Sequence, residues 1–252
     1  MRHIARLYVE SLTSPAPGQS LTLPPEQSHY LVNVMRQEEG AILHIFHPEH
    51  GEWEATLIHA HKKHTGLSLG KQRRQPSPEP DVWLLFAPVK NAALQTIVEK
   101  ATELGVSGLQ PVITEHTIAH KVNTEKLEIY AIEAAEQCER LSIPTIFPPA
   151  SLESVLAGWS RKRKLIFCDE SGEGNSAQET LSTLPKGEPY AVLIGPEGGF
   201  SMREQEHLRQ LPFSLAIGLG PRILRADTAA ITALSCLQMH IGDWDKQPRF
   251  KK

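Results

Sequence analysis

Hydrophobic and polar positions follow two regimes along the chain. Up to about residue 70, short apolar or alternating runs cover Ile4–Val9, Leu21–Leu23, Ala41–Phe46, Glu52–Ile58 and Thr65–Leu69. Turn formers separate them at Pro17-Gly18, Glu39-Gly40 and Glu49-His50-Gly51, so each run predicts a strand. Pro24 to Met35 predicts a helix with proline at its start. Five short strands in so few residues predict a small barrel. Beyond residue 80 the pattern changes. Apolar runs at Val82–Val89, Leu109–Ile113, Leu165–Cys168, Ala191–Ile194 and Leu215–Gly218 alternate with helical stretches at Ala92–Leu104, Thr124–Arg140, Ser151–Trp159 and Ser201–Gln210. That alternation predicts an α/β domain with a mostly parallel sheet. A last helix, from about Asp227 to His240, is apolar nearly all round, which suits core or a subunit interface. Between the regimes, prolines 76, 78 and 80 predict a semi-rigid spacer. The expected organisation is a domain over 1–74, a linker over 75–80 and a second domain over 81–252.

Composition narrows the class without identifying it. The 252 residues hold 40% hydrophobic and 22% charged side chains, ordinary for a globular protein. No apolar run approaches the roughly 20 residues that span a bilayer, and the charged N-terminus is unlike a secretory signal. Cys138, Cys168 and Cys236 are odd in number and widely spaced, so neither a disulfide framework nor a cysteine zinc site is indicated. The expected compartment is the cytoplasm. The net charge of −3 divides unevenly, +1 over residues 1–74 and −4 over the remainder. A mildly basic first module permits RNA contact without requiring it.

The most informative segment is Tyr190 to Ser201, YAVLIGPEGGFS. A buried-type strand stops at Gly195-Pro196-Glu197-Gly198-Gly199, where missing Cβ atoms let backbone approach a ligand. Ser201 and Glu204 make a capping-box pattern, so a helix should start at once. A second glycine loop, Ile217-Gly218-Leu219-Gly220-Pro221-Arg222, also follows a strand and precedes a helix. Two such loops suggest one shared ligand site.

Other candidates divide between a functional and a plain reading. Gly172 to Ala177, GEGNSA, is a relaxed dinucleotide fingerprint. At least two strands precede it, and Glu173 would adjoin a pyrophosphate, so it reads better as a surface loop. His44, His47, His50, His59, His61 and His64 cluster on neighbouring strands. Without paired cysteines or an HExxH they read as exposed strand and turn residues suited to phosphates, and no metal site is assigned. Neither a G-x-S-x-G elbow nor a Walker loop occurs, which removes support for serine hydrolysis and nucleotide turnover. In Leu219 to Thr228, LGPRILRADT, Asp227 suits a helix cap, while Arg222 and Arg225 stand beside the glycine turn.

Taken together, IGPEGGFS, LGPRILRADTAA, KNAALQTIVEKATELGV and IEAAEQCER resemble the bacterial 16S ribosomal RNA uridine N3-methyltransferases of the SPOUT class, over nearly the whole chain. The resemblance implies a PUA-like RNA-binding domain at the N-terminus, a C-terminal sheet with a trefoil knot, S-adenosylmethionine as cofactor, and a homodimer. Cofactor contacts would come from Ile194, Gly195, Pro196, Glu197 and Gly199, then Ile217, Gly218, Leu219, Gly220, Leu224, Arg225, Thr228 and Ala229. RNA contacts would come from Arg6, His29, Arg36, Arg73, Arg74, Lys90, Lys100 and Arg140. The partner would be 16S ribosomal RNA within the small ribosomal subunit, with no membrane involved. The chain departs from the family at Asp227, usually Glu, and at Asn91-Ala92-Ala93, usually a polar Gly-Asp-Arg-like stretch. It departs again at His116-Thr117, usually Arg-Ser.

Methyl transfer to uracil N3 needs in-line alignment, stabilisation of the uracil anion and a route for the imide proton. Arg225 is the expected anion stabiliser, since arginine keeps its charge and cannot accept the proton. Glu197 and Asp227 are the candidate relays. The alternatives are a ribose 2′-O-methyltransferase, a non-catalytic RNA-binding protein and a nicotinamide enzyme built on GEGNSA.

Overall fold

The computed structural model describes residues 4–119 and 121–246. The described residues divide into two compact units, one up to Pro78 together with Ala135–Ile143, the other over Glu79–Ala134 and from Pro144 onward. The switch between units falls inside the proline-rich stretch. The return of residues 135–143 to the first unit has no forewarning in the sequence.

In the first unit the alternating runs become β1 (Arg6–Tyr8), β2 (Ser20–Thr22), β3 (Ile42–His47), β4 (Gly51–His59) and β5 (Gly66–Arg74). They form one sheet in the order β1-β3-β4-β5-β2, with β1 parallel to β3 and the other pairs antiparallel. Leu43, Ile45, Ala55, Leu57 and Leu67 point into its core and are fully buried. The single helix expected over Pro24–Met35 is shorter. Helix α1 (Pro25–His29), opened by its proline, widens into a π-helical turn over Tyr30–Val34 that buries Leu31.

A charged network closes this unit. Arg6 lies on β1 with 7% exposure, its guanidinium 3.8 Å from the Phe46 ring centroid. Its Nε donates to Glu52 Oε1 at 2.7 Å, and its terminal nitrogens donate to the carbonyls of Ala135 and Arg140, each at 2.7 Å. Arg74 donates to both Glu52 oxygens, at 2.8 and 2.7 Å. Burial alone would raise the Glu52 carboxyl, but the hydrogen bonds from Arg74 and Arg6 outweigh it and hold the group below its ordinary range. The expectation that Arg6 and Arg140 contact RNA is therefore corrected. Both are buried, Arg6 spends its donors inside the unit, and Arg140 donates to Ser142 Oγ at 2.9 Å. Arg74 is likewise engaged by Glu52.

In the second unit the long apolar runs become β6 (Val82–Phe86), β7 (Gly108–Ile113), β10 (Lys164–Cys168), β12 (Tyr190–Ile194) and β13 (Ser214–Gly218). Short strands β8 (Thr145–Ile146), β9 (Ala150–Ser151) and β11 (Asn175–Ser176) join them. The order is β11-β13-β10-β12-β6-β7-β8, every pair parallel, with β9 also on β7. All five residues of β12 are buried, as a strand covered on both faces requires. The helices are α2 (Asn91–Glu103), α3 (Thr124–Cys138), α4 (Leu152–Ala157), α5 (Ala177–Ser182), α6 (Met202–Gln210) and α7 (Ala226–Ile241). Helix α6 starts with the expected capping box: Glu204 N–H donates to Ser201 Oγ at 3.2 Å and Ser201 N–H to Glu204 Oε2 at 2.9 Å. Among the described residues no helix is long and apolar enough to cross a membrane.

Candidate functional site

Because β10 lies between β12 and β13, the loops leaving these three parallel strands emerge side by side. They wall a cavity of about 500 Å³, within the range of small-ligand sites. From the first loop come Ile194, Gly195, Pro196, Glu197 and Gly199; from the second, Gly218, Leu219, Gly220 and Leu224, followed by Ala229 on α7. Ten expected cofactor residues thus meet at one place. Three do not line it: Ile217 is buried in β13, and Arg225 and Thr228 are exposed at the start of α7.

Sequence reasoning missed the third wall. Cys168, Asp169, Glu170, Gly172, Gly174, Asn175 and Ser176 all line the cavity, so GEGNSA is part of the site rather than a detached surface loop. The strand before this segment was legible; its insertion between β12 and β13 was not. Glu170 Oε1 accepts the Phe200 N–H at 2.8 Å and the Gln205 side-chain amide at 3.2 Å, tying this wall to the first glycine loop. Asp169 is 5% exposed and accepts Arg209 Nη2 at 2.6 Å. Its burial opposes ionisation, yet the hydrogen bonds from Arg209 and Ser171 prevail and keep its carboxyl below the usual range. Burial pushes the Cys168 thiol up, which disfavours its thiolate form.

Two backbone positions explain the glycines. Gly199 has φ +70°, and a Cβ there would run into the Glu170 carboxylate. Gly220 has φ +99° with open space around it, so only backbone conformation demands glycine. His116 braces the first loop: its Nδ1 donates to the carbonyls of Gly198 and Gly199 at 3.1 and 3.2 Å.

Arg225 occupies the N-cap position of α7, where its carbonyl accepts from Ala229 N–H at 2.8 Å. Asp227 is therefore not the cap but sits in the first turn, and its Oδ1 accepts the Thr228 N–H at 2.7 Å. Among the described residues no carboxylate pairs with the Arg225 guanidinium. Glu197 is exposed on the cavity wall. Of the remaining residues expected at RNA, His29, Arg36, Arg73 and Lys90 are exposed. Lys100 is half-buried and ion-pairs with Glu103 at 2.7 Å, while Arg73 lies 3.6 Å from Glu54.

Fold and site together define an α/β RNA methyltransferase carrying a PUA-type unit. Residues 75–238 match the family profile described as RNA methyltransferase domain, and residues 23–65 match RNA methyltransferase PUA domain. The Ribosomal RNA small subunit methyltransferase E of Rickettsia conorii is 30% identical over 93% of this chain and 95% of its own. The protein of that name from Bacillus subtilis is also 30% identical, over 88% and 90%. A methyltransferase from Legionella pneumophila, solved with bound S-adenosylmethionine, superposes with a TM-score of 0.85 at 31% identity, over 96% of this chain and 99% of that one. The chain belongs to the ribosomal RNA small subunit methyltransferase E family.

Proposed function

We propose that the protein methylates N3 of a uracil in small-subunit ribosomal RNA, with S-adenosylmethionine as methyl donor. The carrying observation is the cavity walled by three adjacent loops at the carboxyl ends of β10, β12 and β13. Its residues suit this cofactor. Ile194, Leu219, Ile223 and Leu224 offer apolar surface for an adenine ring, the glycines leave backbone polar groups accessible, and Glu170 and Glu197 supply negative charge for a cationic ligand. Asp169 adds little to that charge, because Arg209 neutralises it.

When bound, the cofactor supplies an electrophilic methyl group on a sulfonium. The chain's own residues do the rest. The glycine loops fix the ligand's orientation. Arg225, exposed and flanked by the cavity residues Leu224 and Ala226, can reach a base approaching from solvent and stabilise its N3 anion. Glu197 on the cavity wall is the better proton relay, since Asp227 holds its carboxylate against the Thr228 backbone. Exposed His29, Arg36 and Arg73 on the first unit suit phosphate contact.

The same reading includes a homodimer and a knotted C-terminal segment. The dimer is supported by Ile223 at 93% exposure and Met239 at 61%, which a second copy would cover. The knot is supported by the strand order, which takes the chain from one flank of β10 to the other between Ile194 and Ser214.

The test is incubation of small ribosomal subunits with protein and S-adenosylmethionine, followed by mass spectrometry of nucleosides. 3-Methyluridine is the expected product; a ribose-methylated nucleoside instead would overturn the N3 assignment. Light scattering should give twice the monomer mass.

A further inference from the structure

We propose that the β3–β4 turn of the first unit binds a borderline divalent transition-metal ion, zinc above all, through His47, Glu49 and His50. One ligand atom from each residue lies within 4.8 Å of the other two. Neighbouring ligands on a zinc ion stand roughly 3.3–3.6 Å apart at metal–ligand distances of about 2.0–2.2 Å. Small side-chain rotations close that gap.

The turn is held in place before any ion arrives. Trp53 Nε1 and Gln72 Nε2 both donate to the His50 carbonyl, at 2.9 and 3.1 Å, and His50 N–H donates to the His47 carbonyl at 3.2 Å. Gly51 follows at φ +72°, where a Cβ would strike the Arg74 carbonyl. Glu49 N–H donates to His47 Nδ1 at 3.2 Å, so the lone pair of that nitrogen faces the turn, where an ion would displace this long hydrogen bond. The His47 and His50 rings stack at 4.9 Å, and Tyr8 stacks on His47 at 6.2 Å. Such anchoring of ligands by outer hydrogen bonds is what metal sites require.

Donor chemistry selects the ion. Two imidazoles and one carboxylate suit zinc, nickel or copper, with water completing the coordination, whereas magnesium and calcium prefer all-oxygen sets. A second histidine group offers a contrast. His59, His61 and His64 have ring centroids 3.8–6.2 Å apart, but among the described residues their ligand atoms do not form a converging group as those of His47, Glu49 and His50 do.

The experiment is calorimetric titration of chelator-stripped full-length protein with zinc, and separately with magnesium, at pH 7.5. One equivalent of zinc should bind in the micromolar range, with a rise in melting temperature, and magnesium should not bind. His47→Ala and His50→Ala should each weaken zinc by about tenfold or more. Glu49→Gln, an exposed change that leaves the turn's backbone bonds in place, should weaken it several-fold. His61→Ala should bind like wild type. The proposal fails if wild type takes up no zinc, if Glu49→Gln and both histidine variants bind like wild type, or if His61→Ala is the variant that loses the ion.

Discussion

The Glu170 carboxylate accepts a hydrogen bond from the Phe200 backbone N–H at 2.8 Å, joining the loop after β10 to the loop after β12. The same oxygen lies where a Cβ on Gly199 would stand. One side chain thus sets the spacing of two cavity walls. Glu170→Ala removes the acceptor and should weaken S-adenosylmethionine about tenfold, the order expected for losing a charged hydrogen bond. Glu170→Gln keeps an acceptor but not the charge, so it should restore the loop spacing and only part of the affinity. Hydrogen exchange at the Phe200 amide should accelerate in the alanine variant alone. Equal exchange in all three proteins would show that the bond does not hold the loop.

Gly199→Val and Gly220→Val should both impair cofactor binding, for different reasons. At Gly199 the new side chain meets Glu170 and the backbone is strained; at Gly220 only strain acts. Strain of this kind costs about 1–3 kcal/mol, roughly tenfold or more in affinity. Combining Gly199→Val with Glu170→Ala should relieve the collision without relieving the strain. Wild-type affinity in either single variant would move the site elsewhere.

Arg225→Ala should lower the single-turnover methylation rate on the order of 10²–10³ while changing cofactor affinity much less. Arg225→Lys keeps the charge but not the planar fork, so recovery should be partial. The alanine defect should shrink as pH rises and more uracil ionises unaided. A pH-independent defect, or one confined to affinity, would reduce Arg225 to a binding residue.

The Arg6–Glu52–Arg74 network carries a pH signature. The Glu52 carboxyl is held below its ordinary range in the folded state, so its contribution is present above the unfolded pKa and disappears as pH falls through the lower folded value. Glu52→Gln should flatten the acid limb of a melting-temperature profile between the two values. Arg6→Ala should destabilise at neutral pH by about 3–5 kcal/mol, since it leaves Glu52 buried with one partner fewer. A loss below about 1 kcal/mol would mean water fills the space.

Much of this was legible because local pattern decided it. Three unbroken apolar residues after Ala191 signalled a doubly covered strand, and Ser201 with Glu204 signalled the start of α6. What sequence could not supply was adjacency. The sheet order sets β10 between β12 and β13, and that alone turns Asp169 to Ser176 from a loop into a cavity wall. Arg6 misled for a related reason. An arginine near a basic N-terminus suits phosphate, and only the tertiary structure reveals that carbonyls 129 and 134 positions away consume its donors. The short strands β8, β9 and β11 span two residues each, too few for any periodicity to register.

Those distant carbonyls also bear on the order in which the chain can acquire structure during synthesis. Residues 4–78 hold all five strands of the first unit, yet two of the bonds that satisfy Arg6 end on Ala135 and Arg140. While the ribosome has delivered only the first half of the polypeptide, that guanidinium lacks the acceptors that make its burial tolerable. Full burial of Arg6 therefore awaits the end of α3. A released fragment ending at Pro78 would keep the Glu52 partner of Arg6 but lose both carbonyl acceptors, so the N-terminal piece expressed alone should be less stable than the same residues in the full chain.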